Sequence, residues 1–151
     1  MGFDMNCVVF TRTPKEKEFP EVEFVSFEKL LSKSDFISIH CPATTETKNL
    51  FDEKAFSIMK PNSFLINTAR GSIIDEDALI AALQNKKIAG AALDVMNPEP
   101  PLENNPLLAM ENVFITPHIG WTGLEARQRL ISSVANNISN FLKGKEFSLV
   151  N

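Results

Sequence analysis

Tyrosine is absent from the chain, tryptophan occurs once, and there are two cysteines, Cys7 and Cys41. Phenylalanine, with 12 copies, supplies most of the aromatic side chains. Two cysteines are too few for a disulfide framework, so both read as free, buried thiols in a reducing compartment. No run approaches the ~20 consecutive apolar residues of a membrane span, and Met1 to Lys15 has no apolar core flanked by basic residues to mark a signal peptide. A cytoplasmic location is expected. Lysine and arginine form no cluster and the formal net charge is −4, which argues against nucleic acid or an anionic membrane surface as the main partner. Internal repeats and low-complexity tracts are also missing, and no set of residues reads as a metal site.

What is present is an ordinary globular composition. Of 151 residues, 44% are hydrophobic and 23% charged, which fits one soluble domain with a single core. Met5 to Thr11 is a compact β-prone run that ends in the polar Arg12-Thr13-Pro14-Lys15. Lys15 to Glu21 reads as a loop, Val22 to Ser26 as a short strand, and Ser26 as the cap of a brief helix through Leu31. The strand in DFISIHCP follows, and Thr44 to Asn49 is a loop or a helical turn over a cleft. Asp52 to Lys60 has the spacing of a helix with an acidic start and a basic finish, stopped by Pro61-Asn62. A strand at Phe64 to Asn67 comes next.

Asp75 caps a second clear helix, with Ala78, Leu79, Ala82 and Leu83 as its buried stripe and Lys86-Lys87 at its end. Ile88 to Val95, rich in alanine and glycine, is a strand against which something packs closely, and Pro98, Pro100 and Pro101 hold an extended loop. Val113 to Thr116 is a short buried strand. Thr122 and Glu125 form a capping-box pattern at the start of a long amphipathic helix. Its Leu124, Ile131, Val134, Ile138 and Leu142 are either core or dimer contact, and it ends near Gly144. Strands alternating with helices predict an α/β fold with a parallel, doubly wound sheet.

Three strand ends converge on one chemistry. In such sheets ligands gather at the carboxyl ends of the strands. Val113 to Thr116 is followed by His118, whose side chain changes charge near neutral pH. Ser63 to Gly71 stops in Thr68, Ala69 and Arg70, and Ile88 to Pro100 stops in Asp94 and then Glu99. An arginine, a glutamate and a histidine so delivered supply a fixed cation for a carboxylate, a proton donor, and an acid that orients and charges the donor. That set suits a 2-oxo acid. Trp121, beside the histidine, reads equally as interface or cleft wall.

The blocks INTARGSIIDEDALIAAL, AGAALDVMNPEP and ITPHIGW, in this order, resemble the D-isomer-specific 2-hydroxyacid dehydrogenases, in the carboxyl-terminal two thirds or more of their nucleotide-binding domain. The resemblance implies a Rossmann-like fold and places a catalytic trio on Arg70, Glu99 and His118. Arg70 would bind the substrate carboxylate and polarise its carbonyl, His118 would pass the proton, and Glu99 would favour the protonated imidazole. It also implies cofactor contacts: Cys41, Pro42 and Thr47 beside the adenosine half, Thr68 and Ala69 near the nicotinamide ribose, Asp94 on the carboxamide, and Gly120 next to the ring. An acidic residue at the end of the first strand would take a ribose 2′-hydroxyl. Here Arg12 and Lys15 suit a 2′-phosphate better, so the cofactor expected is NADP or NAD, with the lean to NADP. The WTGLEARQRL segment looks like the glycerate dehydrogenase and hydroxypyruvate reductase branch, which makes hydroxypyruvate or glyoxylate the expected substrate and a homodimer the expected assembly.

The sequence departs from that family in one large respect. It contains no GxGxxG, so the strand, glycine turn and helix N-terminus that would cradle the pyrophosphate are expected to be missing, as is the separate substrate domain. Residues 1–151 are read as a partial dinucleotide-binding domain, with strand edges left open beside Cys7 and Phe36. Two readings of different class follow. One is a 2-hydroxyacid dehydrogenase, impaired as a solitary chain. The other is a non-catalytic fragment or pseudoenzyme that acts as a dimerising or binding module.

Overall fold

The computed structural model describes residues 5–14, 18–20 and 22–146. Lys15 lies outside them, and so does most of the loop expected between Lys15 and Glu21. The chain divides into two compact units, residues 1–117 and 118–151.

The first unit is built on parallel strands. β1 (Val8–Val9) pairs with β2 (Glu23–Phe24), and a separate four-stranded sheet runs in the order β3 (Phe36–Ile39), β4 (Phe64–Asn67), β5 (Gly90–Leu93), β6 (Val113–Ile115). This is the Rossmann-like α/β class that the alternating pattern predicts. Three helices join the strands: α1 (Phe27–Lys33), α2 (Glu53–Ile58) and α3 (Glu76–Gln84). Each begins where a polar side chain accepts a backbone N–H that the helix itself leaves unpaired: Ser26 from Lys29, Asp52 from Ala55, Asp75 from Ala78.

Strand geometry decides which residues are interior. Side chains alternate across a sheet, and the register sets Ile37, Leu65 and Ala91 in one row and Ile39, Asn67 and Leu93 in the next, all of them buried. Leu31 of α1, Phe56 of α2 and Leu79 and Leu83 of α3 join them in one cluster, so these helices share the core on that face. The intervening rows contain Phe36, Phe64 and Phe114, which stay exposed. Phe36 and Phe64 stack at 5.6 Å on that open side. β3 is an edge of the larger sheet, as expected beside Phe36.

Val113 to Thr116 was expected to be a buried strand, but β6 ends at Ile115 and lies at the sheet edge, with Phe114 exposed and Val113 and Ile115 half-buried. Two further expectations are corrected. Cys7 is exposed and Cys41 only half-buried, although both were expected to be buried. Cys7 precedes a two-residue strand that, among the described residues, is paired on one side only. The other concerns the second unit, in which α4 (Leu124–Leu142) is the one helix among the described residues. Thr122 does not form a capping box. Its hydroxyl donates to the Ile119 carbonyl at 2.7 Å, and the cap is Gly123, which has no side chain to offer. At the other end Gly144 (φ 63°) closes the helix as expected, with Gly144 N–H donating to Phe141 and Lys145 N–H to Asn140. The stripe Leu124, Ile131, Val134, Ile138 and Leu142 is exposed, and α4 has no buried residue.

Candidate functional site

The register that builds the core also lines up the strand ends. Ile39, Asn67, Leu93 and Ile115 are paired in sequence across the sheet, so the residues that follow, His40, Thr68, Asp94 and Thr116, leave at the same carboxyl edge. Backbone bonds carry the pairing one step further: Asp94 N–H donates to Asn67 and Thr116 N–H to Leu93, both at 2.9 Å.

A cleft of about 570 Å³ opens at the ends of β3 and β4. It is lined by Cys41, Pro42, Thr68, Ala69 and Arg70 of the expected set, together with Ile39, His40 and Ala43. Arg70 is exposed at its wall, and its Nη1 donates to the Ala69 carbonyl at 2.6 Å. Burial raises the Cys41 thiol, which keeps it in the neutral form. Thr47 stands behind the cleft wall. Its hydroxyl donates to the Pro42 carbonyl at 2.7 Å and accepts from Thr44 N–H at 2.7 Å, within the turn closed by Lys48 N–H to Thr44.

The turn that carries Arg70 is braced from below. Gly71, at the start of a 3-10 turn (Gly71–Ile73), lies so close to the backbone of Met96 that a Cβ there would overlap the Met96 carbonyl. Met96 N–H in turn donates to Glu99 Oε1 at 2.9 Å. The arginine turn and the glutamate loop therefore meet at one residue, Met96. Asp94, half-buried at the end of β5, accepts from the Thr116 hydroxyl.

Arg12 follows β1 on an exposed bend. Its charge contributes to holding the Glu46 carboxyl below the usual range, after the larger effect of the Thr44 hydroxyl, which donates to Glu46 at 2.7 Å. His118 and Gly120 open the second unit. His118 has φ 53°, a left-handed backbone that costs a side chain with a Cβ roughly 1–2 kcal/mol. Such conformations persist where surrounding structure enforces them, often at functional sites.

Three residues of this region escaped the sequence reading of the site. His40 lines the cleft, with its Nε2 2.8 Å from Ser38 Oγ; its place at a strand end was the available signal. Asn67 ends an otherwise apolar strand and is fully buried. Gly71 gave no local sign of the contact it makes with Met96.

Residues 1–120 match the family model described as D-isomer specific 2-hydroxyacid dehydrogenase, NAD binding domain. A glyoxylate reductase of Thermococcus litoralis is 46% identical over 146 residues, covering 95% of this chain and 44% of the relative. A hydroxypyruvate reductase of Blautia hydrogenotrophica is 41% identical over 128 residues, covering 85% and 40%. Among solved structures, D-lactate dehydrogenase with NAD+ from Lactobacillus jensenii superposes with a TM-score of 0.87 at 28% identity, over 95% of this chain and 48% of that one. The chain spans less than half the length of each of these relatives. No helix among the described residues is long and apolar enough to cross a membrane.

Proposed function

The chain belongs to the D-isomer specific 2-hydroxyacid dehydrogenase family through its NAD-binding domain, and on that premise we propose that residues 1–151 are part of the dinucleotide-binding domain of an enzyme that reduces a small 2-oxo acid. Glyoxylate and hydroxypyruvate are the proposed substrates, because relatives with those names match most of the chain. The observation that carries the reading is the cleft at the ends of β3 and β4, where one guanidinium stands with the His40 imidazole, the Cys41 thiol, a threonine hydroxyl and apolar side chains.

Arg70 binds the substrate carboxylate, for which a planar cation with paired donors is well shaped. The same cation draws electron density from the adjacent carbonyl. His118 delivers the proton to the carbonyl oxygen as it gains charge, and Glu99 is its proposed carboxylate partner. Glu99 suits that role because Met96 N–H fixes one carboxylate oxygen. A nicotinamide dinucleotide supplies the hydride.

The donor set fits that cofactor in part. Thr68 and Ala69 are proposed to contact the nicotinamide ribose, Cys41, Pro42 and Thr47 the adenosine half, and Asp94 and Gly120 the nicotinamide end, a reading supported by the place of Cys41, Pro42, Thr68 and Ala69 in the cleft lining. No residue here is assigned to the pyrophosphate, since the sequence has no GxGxxG. Arg12 favours a 2′-phosphate and hence NADP. The remaining proposals are a cytoplasmic homodimer and no metal requirement.

The test is oxidation of NADPH and NADH by the purified chain with hydroxypyruvate and with glyoxylate, in parallel with Arg70→Ala and His118→Ala. Turnover abolished by either substitution supports the assignment, and a preference for NADPH that Arg12→Ala removes supports the cofactor reading. A folded chain that binds neither cofactor nor acid overturns both and leaves a binding module.

A further inference from the structure

Asn67 is the last residue of β4, and its side chain has no solvent exposure. A buried amide is costly unless its donor and acceptor are both matched. Here both ends turn back on the residues that follow. Ala69 N–H donates to Asn67 Oδ1 at 3.0 Å, and Asn67 Nδ2 donates to the Arg70 carbonyl at 2.9 Å. Its own carbonyl accepts from Asp94 N–H at 2.9 Å.

One residue thus fixes the turn through its side chain and ties it to the end of β5 through its backbone. Asparagine is the small side chain that does this. Aspartate keeps the acceptor but loses the donor, serine has a shorter reach, and leucine has neither group. The core alone would be served by an apolar residue here, as it is by Leu65 two positions earlier.

The guanidinium feels the turn directly. Arg70 Nη1 donates to the Ala69 carbonyl, within the same three residues that the Asn67 carboxamide holds. On the far side Gly71 is pressed against Met96, so the turn has no slack in that direction.

We propose that Asn67 is a positioning residue for Arg70: its carboxamide sets the Thr68 to Arg70 turn so that the guanidinium meets the cleft in one orientation. This rests on the reading of Arg70 as the carboxylate-binding group. Asn67 touches no substrate and acts only through the turn.

The test uses the whole chain, ¹⁵N-labelled, with Asn67→Asp and, should that variant fail to fold, Asn67→Ser. Two readouts are taken. In the first, the backbone amides of Ala69 and Arg70 and the Arg70 Nε–H are followed by NMR, with hydrogen exchange. The expected result is displaced resonances and faster exchange at those groups, with α3 amides unchanged; unchanged Ala69 and Arg70 signals overturn the proposal. In the second, oxalate is titrated as a carboxylate probe. Loss of one hydrogen bond to the turn is expected to weaken oxalate about tenfold in Asn67→Asp, and by under about twofold when Arg70→Lys is already present. An equal loss in both backgrounds marks a merely structural role and overturns the proposal. If the unmodified chain binds no oxalate, the reading of Arg70 as the carboxylate site fails, and the NMR readout alone decides Asn67.

Discussion

Replacing Gly71 by alanine tests how tightly the turn carrying Arg70 is braced against the loop carrying Glu99. A methyl group at this position would overlap the Met96 carbonyl and come within 2.8 Å of the Asn97 nitrogen. Ordinary contact begins at 3.4 Å, so the two segments must part by on the order of 1 Å. Neither partner is a side chain that can swing aside. Met96 is also buried and held through its N–H by Glu99. Overpacking of this kind costs about 1–3 kcal/mol, and two rigid backbones place Gly71→Ala near the upper end, about 3 kcal/mol. For a chain of this size each kcal/mol lowers Tm by roughly 2–4 °C, so the expected fall is about 6–12 °C. Gly90→Ala provides the comparison. Its methyl would lie 2.6 Å from the Asn112 carbonyl oxygen and 2.9 Å from the half-exposed Phe64 ring, looser than the 2.1 and 2.2 Å to the Met96 backbone at Gly71. A smaller loss is expected there. Thermal unfolding followed by circular dichroism reads both. A Gly71→Ala chain that melts within about 2 °C of the parent, or above Gly90→Ala, refutes the bracing argument.

Alkylation by iodoacetamide at neutral pH should modify exposed Cys7 before Cys41, because burial raises the Cys41 thiol and keeps it protonated; peptide mass spectrometry of a partial reaction decides, and earlier labelling of Cys41 contradicts the structure. Thr44→Ala should raise the Glu46 titration midpoint toward the ordinary carboxylate value, since the Thr44 hydroxyl bond favours the charged form and is lost as pH falls through the lowered midpoint. Carbon-13 NMR of the Glu46 carboxyl measures this, and an unmoved midpoint would sink it. Asp75→Ala removes the bond to Ala78 N–H at 3.1 Å and should cost about 1 kcal/mol, read as a Tm lower by roughly 2–4 °C.

Much of the first unit is legible in the sequence because its elements state themselves locally. Ser26, Asp52 and Asp75 each cap the helix they precede. The strand at Phe64 to Asn67 is where its apolar run lies, while the runs at Met5 to Thr11 and Ile88 to Val95 contract to Val8–Val9 and Gly90–Leu93. The contraction has a physical cause. A strand lasts only as long as its neighbour offers bonds, and neighbours are not local information. The capping box failed for a related reason: Thr122 had a nearer acceptor, the Ile119 carbonyl, which the spacing from Thr122 to Glu125 does not reveal.

The candidate site divides along the same line. Arg70 and Thr68 were legible because they end an apolar run, and in a parallel sheet in register every such end reaches one edge, whereas Cys41 came only from the family resemblance. That reasoning reaches residues but not the distances between them. What sets the Arg70 turn against the Glu99 loop is the approach of Gly71 to Met96, a contact between the segments that follow β4 and β5 whose two halves look unrelated in the sequence. Asn67 was hidden differently. As the last residue of FLIN it fits a strand that simply turns polar at its end, and only its burial, with both amide ends spent on Ala69 and Arg70, marks it as part of the turn. Sequence patterns therefore name the side chains that reach the edge of a sheet, and the bonds that hold those side chains to a single geometry come from residues chosen for a long-range fit.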